Sequence, residues 1–407
     1  MHSSTEIHNY IIDRLIGNGA FSEVYLAVHK LIGTKVAIKI INYERIGEED
    51  LICLIREITI HLQLEHPNIA FMYEFFIESP YVYIVMEYVT GGTLLDHING
   101  KRNIAENTVR NYLIDILSSL FYLHRGRSVS HRDIKPQNIL ISNEGALKLI
   151  DFGFSNCINS KGFDSFVGTP GFTAPEIIDD GYYDESCDIF SLGVCIYSMI
   201  AGHFPFDLQN TNSERLLSQI GELEIPPTVS PELQRLIRMM IDPNPSTRLT
   251  LDQILCFPWV QEVVPKNDRF SYFLNPIDIR FFLSMESLNM AHRKPVLDYK
   301  KSIIESLNTL GFDKKKALDE IRRGIVSSES AAYFMLSKNR VIVEDPIPQI
   351  VPKKSSSSSR HIALPYAKTK AIPRAKKPII LPSLSGDSIQ KPTSRTQIPN
   401  KKGKQIQ

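Results

Sequence analysis

The chain has 407 residues, 43% hydrophobic and 22% charged, with 46 Lys and Arg against 45 Asp and Glu. That composition sits near the globular average and excludes a chain disordered throughout, while the length allows a large two-part domain with something smaller beside it. The charge balance excludes a chain-wide field selecting nucleic acid or acidic membrane, although it hides one lopsided segment.

From Tyr10 to about Met86 the pattern predicts strands. Val24 to Val28, Lys35 to Ile41 and Val82 to Met86 are short β-branched or aromatic runs bounded by turn residues. Leu51, Ile55, Ile58 and Leu62 interrupt them at helical spacing. From Leu94 onward helices dominate. Val109 to Leu123 reads as one amphipathic helix, and Glu185 to Ala201, apolar nearly all round, as a helix buried inside its lobe. Residues 261–296 read as a linker. Residues 297–339 hold three short helical stripes, a unit small enough that it should lean on a neighbouring surface. Residues 340–407 are punctuated by proline, carry the Ser355–Ser359 run, and have mostly Lys and Arg as charges, so a basic, Pro/Ser-rich disordered tail is expected.

Cys53, Cys157, Cys187, Cys195 and Cys256 are odd in number and include no C-x-x-C pair, which argues against a disulfide framework or zinc site and for a reducing compartment. The polar start, Met1 to Tyr10, has no apolar signal region, and no apolar run approaches the ~20 residues of a membrane span. The expectation is a soluble protein of the cytoplasm, with the nucleus open.

Ile16, Gly17, Asn18, Gly19, Ala20, Phe21, Ser22, Glu23 and Val24 lie between two predicted strands. Glycines there let backbone approach phosphate, but by themselves they mark a hairpin equally well. Continuation into a strand argues against a Rossmann or Walker loop. Val36-Ala37-Ile38-Lys39 follows, and Glu57 on the next helix is the natural counter-charge for a buried Lys39. The decisive run is His131-Arg132-Asp133-Ile134-Lys135-Pro136-Gln137-Asn138. It matches the catalytic-loop pattern in which the aspartate accepts a hydroxyl proton, the lysine neutralises phosphoryl charge and the asparagine binds magnesium. Asp151-Phe152-Gly153 follows a short strand, with Asp151 as the second magnesium ligand and Phe152 packed beneath the Glu57 helix. Ala174-Pro175-Glu176 closes the segment, Glu176 pairing with Arg248 and Asp188 holding the catalytic-loop backbone.

With these blocks in order, residues 10–260 resemble eukaryotic protein kinases. The resemblance implies an α+β, bilobal protein kinase fold, with a small β-rich N-lobe and a larger helical C-lobe, followed by the small three-helix domain and the tail. It implies ATP and Mg2+ as cofactors. Adenine would lie between Val24, Ala37 and Leu140, with Met86 as gatekeeper and the backbone of Glu87 and Val89 bonding the ring. Lys135 and Gly168-Thr169-Pro170 resemble the serine/threonine class. Gly-Ala-Phe-Ser-Glu-Val and the unit at 297–339 resemble the calcium/calmodulin-kinase group, within it the AMP-activated-kinase-related and microtubule-affinity-regulating kinases. In those a ubiquitin-associated-like domain follows, matched here by Leu310-Gly311-Phe312 and by Ala331 to Leu336.

By the same resemblance Ser165 is the activation-loop phosphosite, set by an upstream kinase, and its phosphate would pair with Arg132. Ser22 replaces the third glycine, as is common in this group. Thr93, Gln137 and Ser198 stand where basophilic kinases carry acids, so weak preference for upstream arginine is expected. The small domain could bind ubiquitin, and an intramolecular role is favoured. The basic tail could contact acidic membrane, nucleic acid or tubulin, or simply solubilise the chain. No calcium loop is visible; Arg293-Lys294 and Lys300-Lys301, flanking apolar residues, leave calmodulin open. The other function classes are a scaffold without catalysis, against which the complete set Lys39, Glu57, Asp133, Asn138 and Asp151 speaks, and a ubiquitin adaptor, which leaves most of the chain unexplained.

Overall fold

The computed structural model describes residues 5–19, 21–101, 103–157, 168–179, 183–206, 212–262, 303, 305–322 and 325–338. Ala20, Ser165, the basic pairs near 293–301, most of the expected linker and the expected tail lie outside the described residues.

The N-terminal lobe is one antiparallel sheet. In chain order its strands are β1 (Glu6–Ile7), β2 (Tyr10–Asn18), β3 (Ser22–His29), β4 (Lys35–Asn42), β5 (Met72–Glu78) and β6 (Tyr81–Glu87), in spatial order β1-β2-β3-β4-β6-β5. Helix α1 (Glu48–His61) leaves β4 and returns to β5. Strand alternation divides β4 between two cores. Val36 and Ile38 pack with Tyr10, Ala27, Phe71, Tyr73, Tyr83 and Val85 on one face. Ile41 packs on the other with Leu54 and Ile58 of α1 and with Met72 and Ile84.

The C-terminal lobe is helical: α2 (Leu94–Lys101), α3 (Glu106–Phe121), α4 (Pro175–Ile178), α5 (Ser186–Ala201), α6 (Ser213–Gly221), α7 (Pro231–Met240), α8 (Leu251–Leu255) and α9 (Pro258–Gln261). The predicted helix to Leu123 is helical as α3 and then widens into a π-turn over Tyr122–Gly126. Short strands β7 (Val129–Ser130), β8 (Ile139–Ile141), β9 (Leu147–Leu149) and β10 (Asn156–Cys157) carry the loops between α3 and α4. Helix α5 is buried from Cys187 to Ile200, as its all-round apolarity predicts. A Cβ at Gly193 would stand 2.8 Å from Ile241 and 2.9 Å from Met240, so glycine is what lets the end of α7 cross α5 closely. The mixed α/β fold, sheet lobe before helical lobe, is the one the motifs implied.

Beyond this, α10 (Lys314–Arg322) and α11 (Ser328–Lys338) follow a helical stretch at 305–309. Leu307, Ala317 and Ala332 form a small core of their own. Helix α11 is buried on two sides: Ala332 faces that core, while Ala331 and Met335 join the sheet cluster of Val36 and Ile38. Phe334 meets Phe71 at 5.3 Å between ring centroids. At the helix start the Ser328 hydroxyl donates to the buried Glu74 carboxylate at 3.4 Å, and Tyr10 donates to the same carboxylate. Burial holds the Glu74 carboxyl above the usual range.

Two histidines buried in this frame make stability depend on pH. Burial lowers His29 to about 4 and His66 to about 3, from 6.5. Neutral in the fold and protonated when unfolded, they contribute stability that is complete above 6.5 and lost as pH falls toward those values. Each should cost about 2 kcal/mol by about pH 5. Urea midpoints measured against pH will fall over this window, and His66→Asn will flatten the fall.

Candidate active site

The site lies where the open face of the sheet meets the loops of β7 to β10. Cross-strand register puts Val24 opposite Lys39 and Ala37 opposite Met86, so these four share one face. Leu140 bridges to Thr93 from the other lobe. Glu87 donates its backbone N–H to the Phe71 carbonyl at 2.8 Å, and its carboxylate pairs with Lys148 at 2.9 Å. Val89 is buried beside them. In the glycine turn, Gly17 opposes Val24, and the Gly19 N–H donates to Ser22 at 2.7 Å. A Cβ on Gly19 would stand 2.8 Å from the Ser22 hydroxyl, so a side chain there would crowd the turn. Ile16 and Phe21 are exposed, Asn18 and Glu23 lie in the flanking strands, and Ser22 opens β3.

Lys39 Nζ lies 2.7 Å from Glu57 and 3.5 Å from Asp151. Burial opposes charge on Lys39, yet Glu57 first and Asp151 second hold it above the ordinary lysine value. Asp151 is likewise held below the usual range: burial opposes its charge, and Lys39 leads the Gly153 N–H and the nearby cations that together outweigh it.

The catalytic loop hangs from Asp188, which is 0% exposed. Its carboxylate accepts from His131 N at 2.8 Å, Arg132 N at 2.7 Å, the Ser130 hydroxyl at 2.8 Å and His124 Nε2 at 2.8 Å. Burial opposes its ionisation, and His124 leads the donors that keep its pKa low. These bonds hold Arg132 at φ +66°, a left-handed conformation costly for a residue with a Cβ. Asp151 is at φ +63°. Both backbone strains fall at the residues that the chemistry needs aimed.

Asp133 is buried, and both its oxygens are engaged. Thr169 donates its hydroxyl to Oδ1 at 2.8 Å; Asn138 Nδ2 donates to Oδ2 at 2.8 Å, and Lys135 pairs with Oδ2 at 2.7 Å. Lys135 also donates to the Thr169 hydroxyl at 2.7 Å. An alcohol donating to Oδ1 is the contact an acceptor hydroxyl would make. Asn138 spends its nitrogen on Asp133, so Oδ1 is its atom for a cation. With the Asp151 carboxylate that makes two hard oxygen donors, a set that suits magnesium completed by phosphate and water. Among the described residues no group of three or more His, Cys, Asp or Glu could hold a metal, so phosphate oxygens would have to complete this site.

Protein kinase domain is the family whose model matches the chain, over residues 10–260. The chain belongs to the protein kinase family. It is 31% identical to the serine/threonine-protein kinase SIK3 homolog of Danio rerio over 88% of this chain and 30% of that one. It is 33% identical to the SNF1-related protein kinase catalytic subunit alpha KIN12 of Arabidopsis thaliana, over 82% and 64%. With CBL-interacting serine/threonine-protein kinase 20 of Arabidopsis thaliana it shares 32% identity over 83% and 81%. The chain thus spans under a third of the first relative and under two thirds of the second. These relatives belong to the AMP-activated-kinase-related branch of the calcium/calmodulin-kinase group, the branch the motifs implied.

Several residues of this kinase domain escaped the sequence reading. Thr169 entered it only as a class marker, and its run Gly-Thr-Pro was the available signal. His124, paired with Asp188, and His61, whose ring lies 4.7 Å from Phe152, had none, because their partners are distant in sequence. Ser198, read as a substrate-facing position, is 0% exposed and turns its hydroxyl onto Val194 O at 2.7 Å. A side chain that short is satisfied by its own helix. Thr93 donates its hydroxyl to Asp96 at 2.6 Å, a nearby carboxylate that the sequence reading did not weigh. Gln137 keeps a buried amide oxygen without a hydrogen-bond partner.

Glu176 and Arg248 form a two-pronged pair at 2.6 and 2.9 Å, and Arg248 also donates to Ser186 O at 3.0 Å. Arg248→Met will leave the largely buried Glu176 carboxylate, 11% exposed, without its guanidinium and should cost about 3 kcal/mol, read as a lower urea midpoint.

Proposed function

We propose that this chain transfers the γ-phosphoryl group of ATP to serine and threonine hydroxyls of proteins, in intracellular signalling. The observation that carries the reading is Asp133, buried, oriented by Asn138 and Lys135, and already accepting an alcohol hydrogen bond from Thr169. In this role Asp133 takes the acceptor proton and aims the oxygen in line, and Lys135 offsets charge growing on the transferred group. Lys39, held by Glu57, secures the ATP phosphates. Val24, Ala37, Met86, Val89 and Leu140 enclose adenine, with the Glu87 carbonyl as one of its acceptors. Magnesium, held by Asn138 and Asp151, supplies charge neutralisation on those phosphates.

Ser165 is the residue whose phosphorylation by an upstream kinase would raise activity. Arg132 supports this, since its guanidinium reaches Phe154 O at 2.6 Å and the Tyr183 hydroxyl at 3.0 Å, on either side of the activation segment. The packing of Ala331, Phe334 and Met335 against the sheet supports an intramolecular role for the ubiquitin-associated-like unit over ubiquitin capture. Free Cys53, Cys187, Cys195 and Cys256 support a reducing compartment, cytoplasm or nucleus.

Purified full-length protein with Mg-ATP and a mixed protein substrate should label serine and threonine. Asp133→Asn should lower that rate by about 10²–10⁴-fold, and Ser165→Ala should lower it less. An inactive wild type, even with Ser165→Glu, would leave a non-catalytic scaffold as the function. A peptide library should show no dominance of arginine two or three residues before the acceptor, because Thr93, Gln137 and Ser198 offer it no carboxylate.

A further inference from the structure

Glu74 is an acid set into an apolar face. It stands near Val85 in the β5–β6 register, and Val85 belongs to the cluster of Tyr10, Val36 and Ile38 on the back of the sheet. Glu74 is 3% exposed, and its bonded partners are hydroxyls rather than cations. Tyr10 donates to Oε1, and Ser328, the first residue of α11, donates to Oε2 at 3.4 Å. His8, in the turn between β1 and β2, rests on Phe76 and places Nε2 3.0 Å from the same serine hydroxyl. Glu329 brings a second acid on α11, engaged with Lys316 of α10 at 2.7 Å. Lys30, after β3, reaches His8 O at 2.9 Å and Glu6 at 2.7 Å. Tyr73 and Tyr83 lie in the same buried cluster, and His29 of β3 meets the Tyr10 ring edge-on at 5.1 Å.

This pattern of bonds accommodates either protonation state. Ionised, Glu74 accepts from Tyr10 and Ser328. Neutral, it keeps the Tyr10 bond, turns its own proton to the Ser328 oxygen, and lets the serine proton turn to His8 Nε2. No link is lost, and the cost of a buried charge beside Glu329 is removed. Burial leads the influences on the carboxyl and holds it above its ordinary 4.5, against Tyr10, His8 and Ser328. Ser328 and Glu329 both belong to α11, so seating that helix completes the burial and brings up the neighbouring acid. With the helix lifted off, Glu74 meets water and the preference for the neutral form weakens.

We propose that α11 seats on the sheet with uptake of a proton at Glu74, so that the helical unit is held more firmly in acid and loosens as pH rises. A group whose proton affinity is raised by seating holds the helix fully below its ordinary value, 4.5, and loses that hold as pH climbs through the raised one. His29 acts in the opposite sense at the other end of the unit. Its Nδ1 accepts from the N–H groups of Leu31 and Ile32 at 3.3 Å, and its ring lies 6.0 Å from Phe312. Burial lowers His29 to about 4, so its contribution is complete above 6.5 and lost in acid. Comparison with a variant altered at Glu74 alone leaves both histidines in place and isolates the carboxyl.

The test reads the seating itself and needs no phosphoryl transfer, so its outcome is separate from the kinase reading. Full-length wild type and Glu74→Gln would be compared by deuterium exchange of residues 328–338 between pH 5.5 and 8.5, corrected for the base catalysis of exchange. The glutamine amide accepts from Tyr10 and donates to Ser328, as the neutral carboxyl would. Wild-type protection should fall with rising pH, by up to about tenfold per pH unit, the limit for one linked proton. Glu74→Gln should keep the high protection to pH 8.5. Glu329→Gln removes the neighbouring acid and should move the wild-type fall to lower pH; it stands in should Glu74→Gln unfold. Wild-type protection that is level across this range would overturn the proposal, as would a fall that Glu74→Gln reproduces or that Glu329→Gln leaves where it is.

Discussion

Everything in the catalytic loop is suspended from one buried carboxylate. Asp188 sits in a helix with no exposed side, where an unpaired charge would be prohibitive. It is tolerated because four donors converge on it, two of them backbone N–H groups of His131 and Arg132. The exchange is mutual. The donors keep Asp188 ionised, and Asp188 holds Arg132 in a conformation that the chain would otherwise leave. Asp133 follows directly, so the aim of the proposed base is set by a helix in the middle of the lobe rather than by its own loop. A rigid, apolar α5 is therefore part of the catalytic apparatus although it touches no substrate position.

The second organising constraint is the two-sidedness of β4. One face of that strand carries Ala37 and Lys39 toward the nucleotide cleft, and the other carries Val36 and Ile38 toward the sheet's back. A single strand thus cannot be disturbed on one face without cost on the other. The back face is broad and apolar, and α11 covers part of it with Ala331, Phe334 and Met335. That small unit has a core of only a few side chains, too little apolar burial to hold three short helices by itself. Its dependence on the sheet and the sheet's need for cover are the same fact seen from two sides. The polar end of this contact, Glu74 with Tyr10 and Ser328, gives it register, since a buried carboxylate accepts only where donors are aimed.

The lysine and the two acids of the cleft illustrate how burial and pairing compete. Burial opposes charge on Lys39, Glu57 and Asp151 alike. Together they keep Lys39 charged, so the site stores a cation where phosphate charge is to be met. Removing any one member changes the ionisation of the rest, which is why this cluster behaves as a unit.

The amino-acid sequence by itself determined the lobes, the helix that would be buried, and the residues of the nucleotide and catalytic blocks, because those signals are local. Strand alternation, an all-apolar helix and polar residues at fixed short spacing are written in neighbouring positions. Lys39 with Glu57 was legible as a charge needing a partner, and Glu176 with Arg248 and Asp188 with the loop through the family pattern. The tertiary structure decided what depends on residues far apart in the chain. It brought Thr169 onto Asp133, put His124 beneath Asp188, withdrew Ser198 into its helix and set His61 between Ala70 and Phe152. No spacing rule reports those contacts, since each is created by the packing of elements whose separation in sequence carries no information about their separation in space.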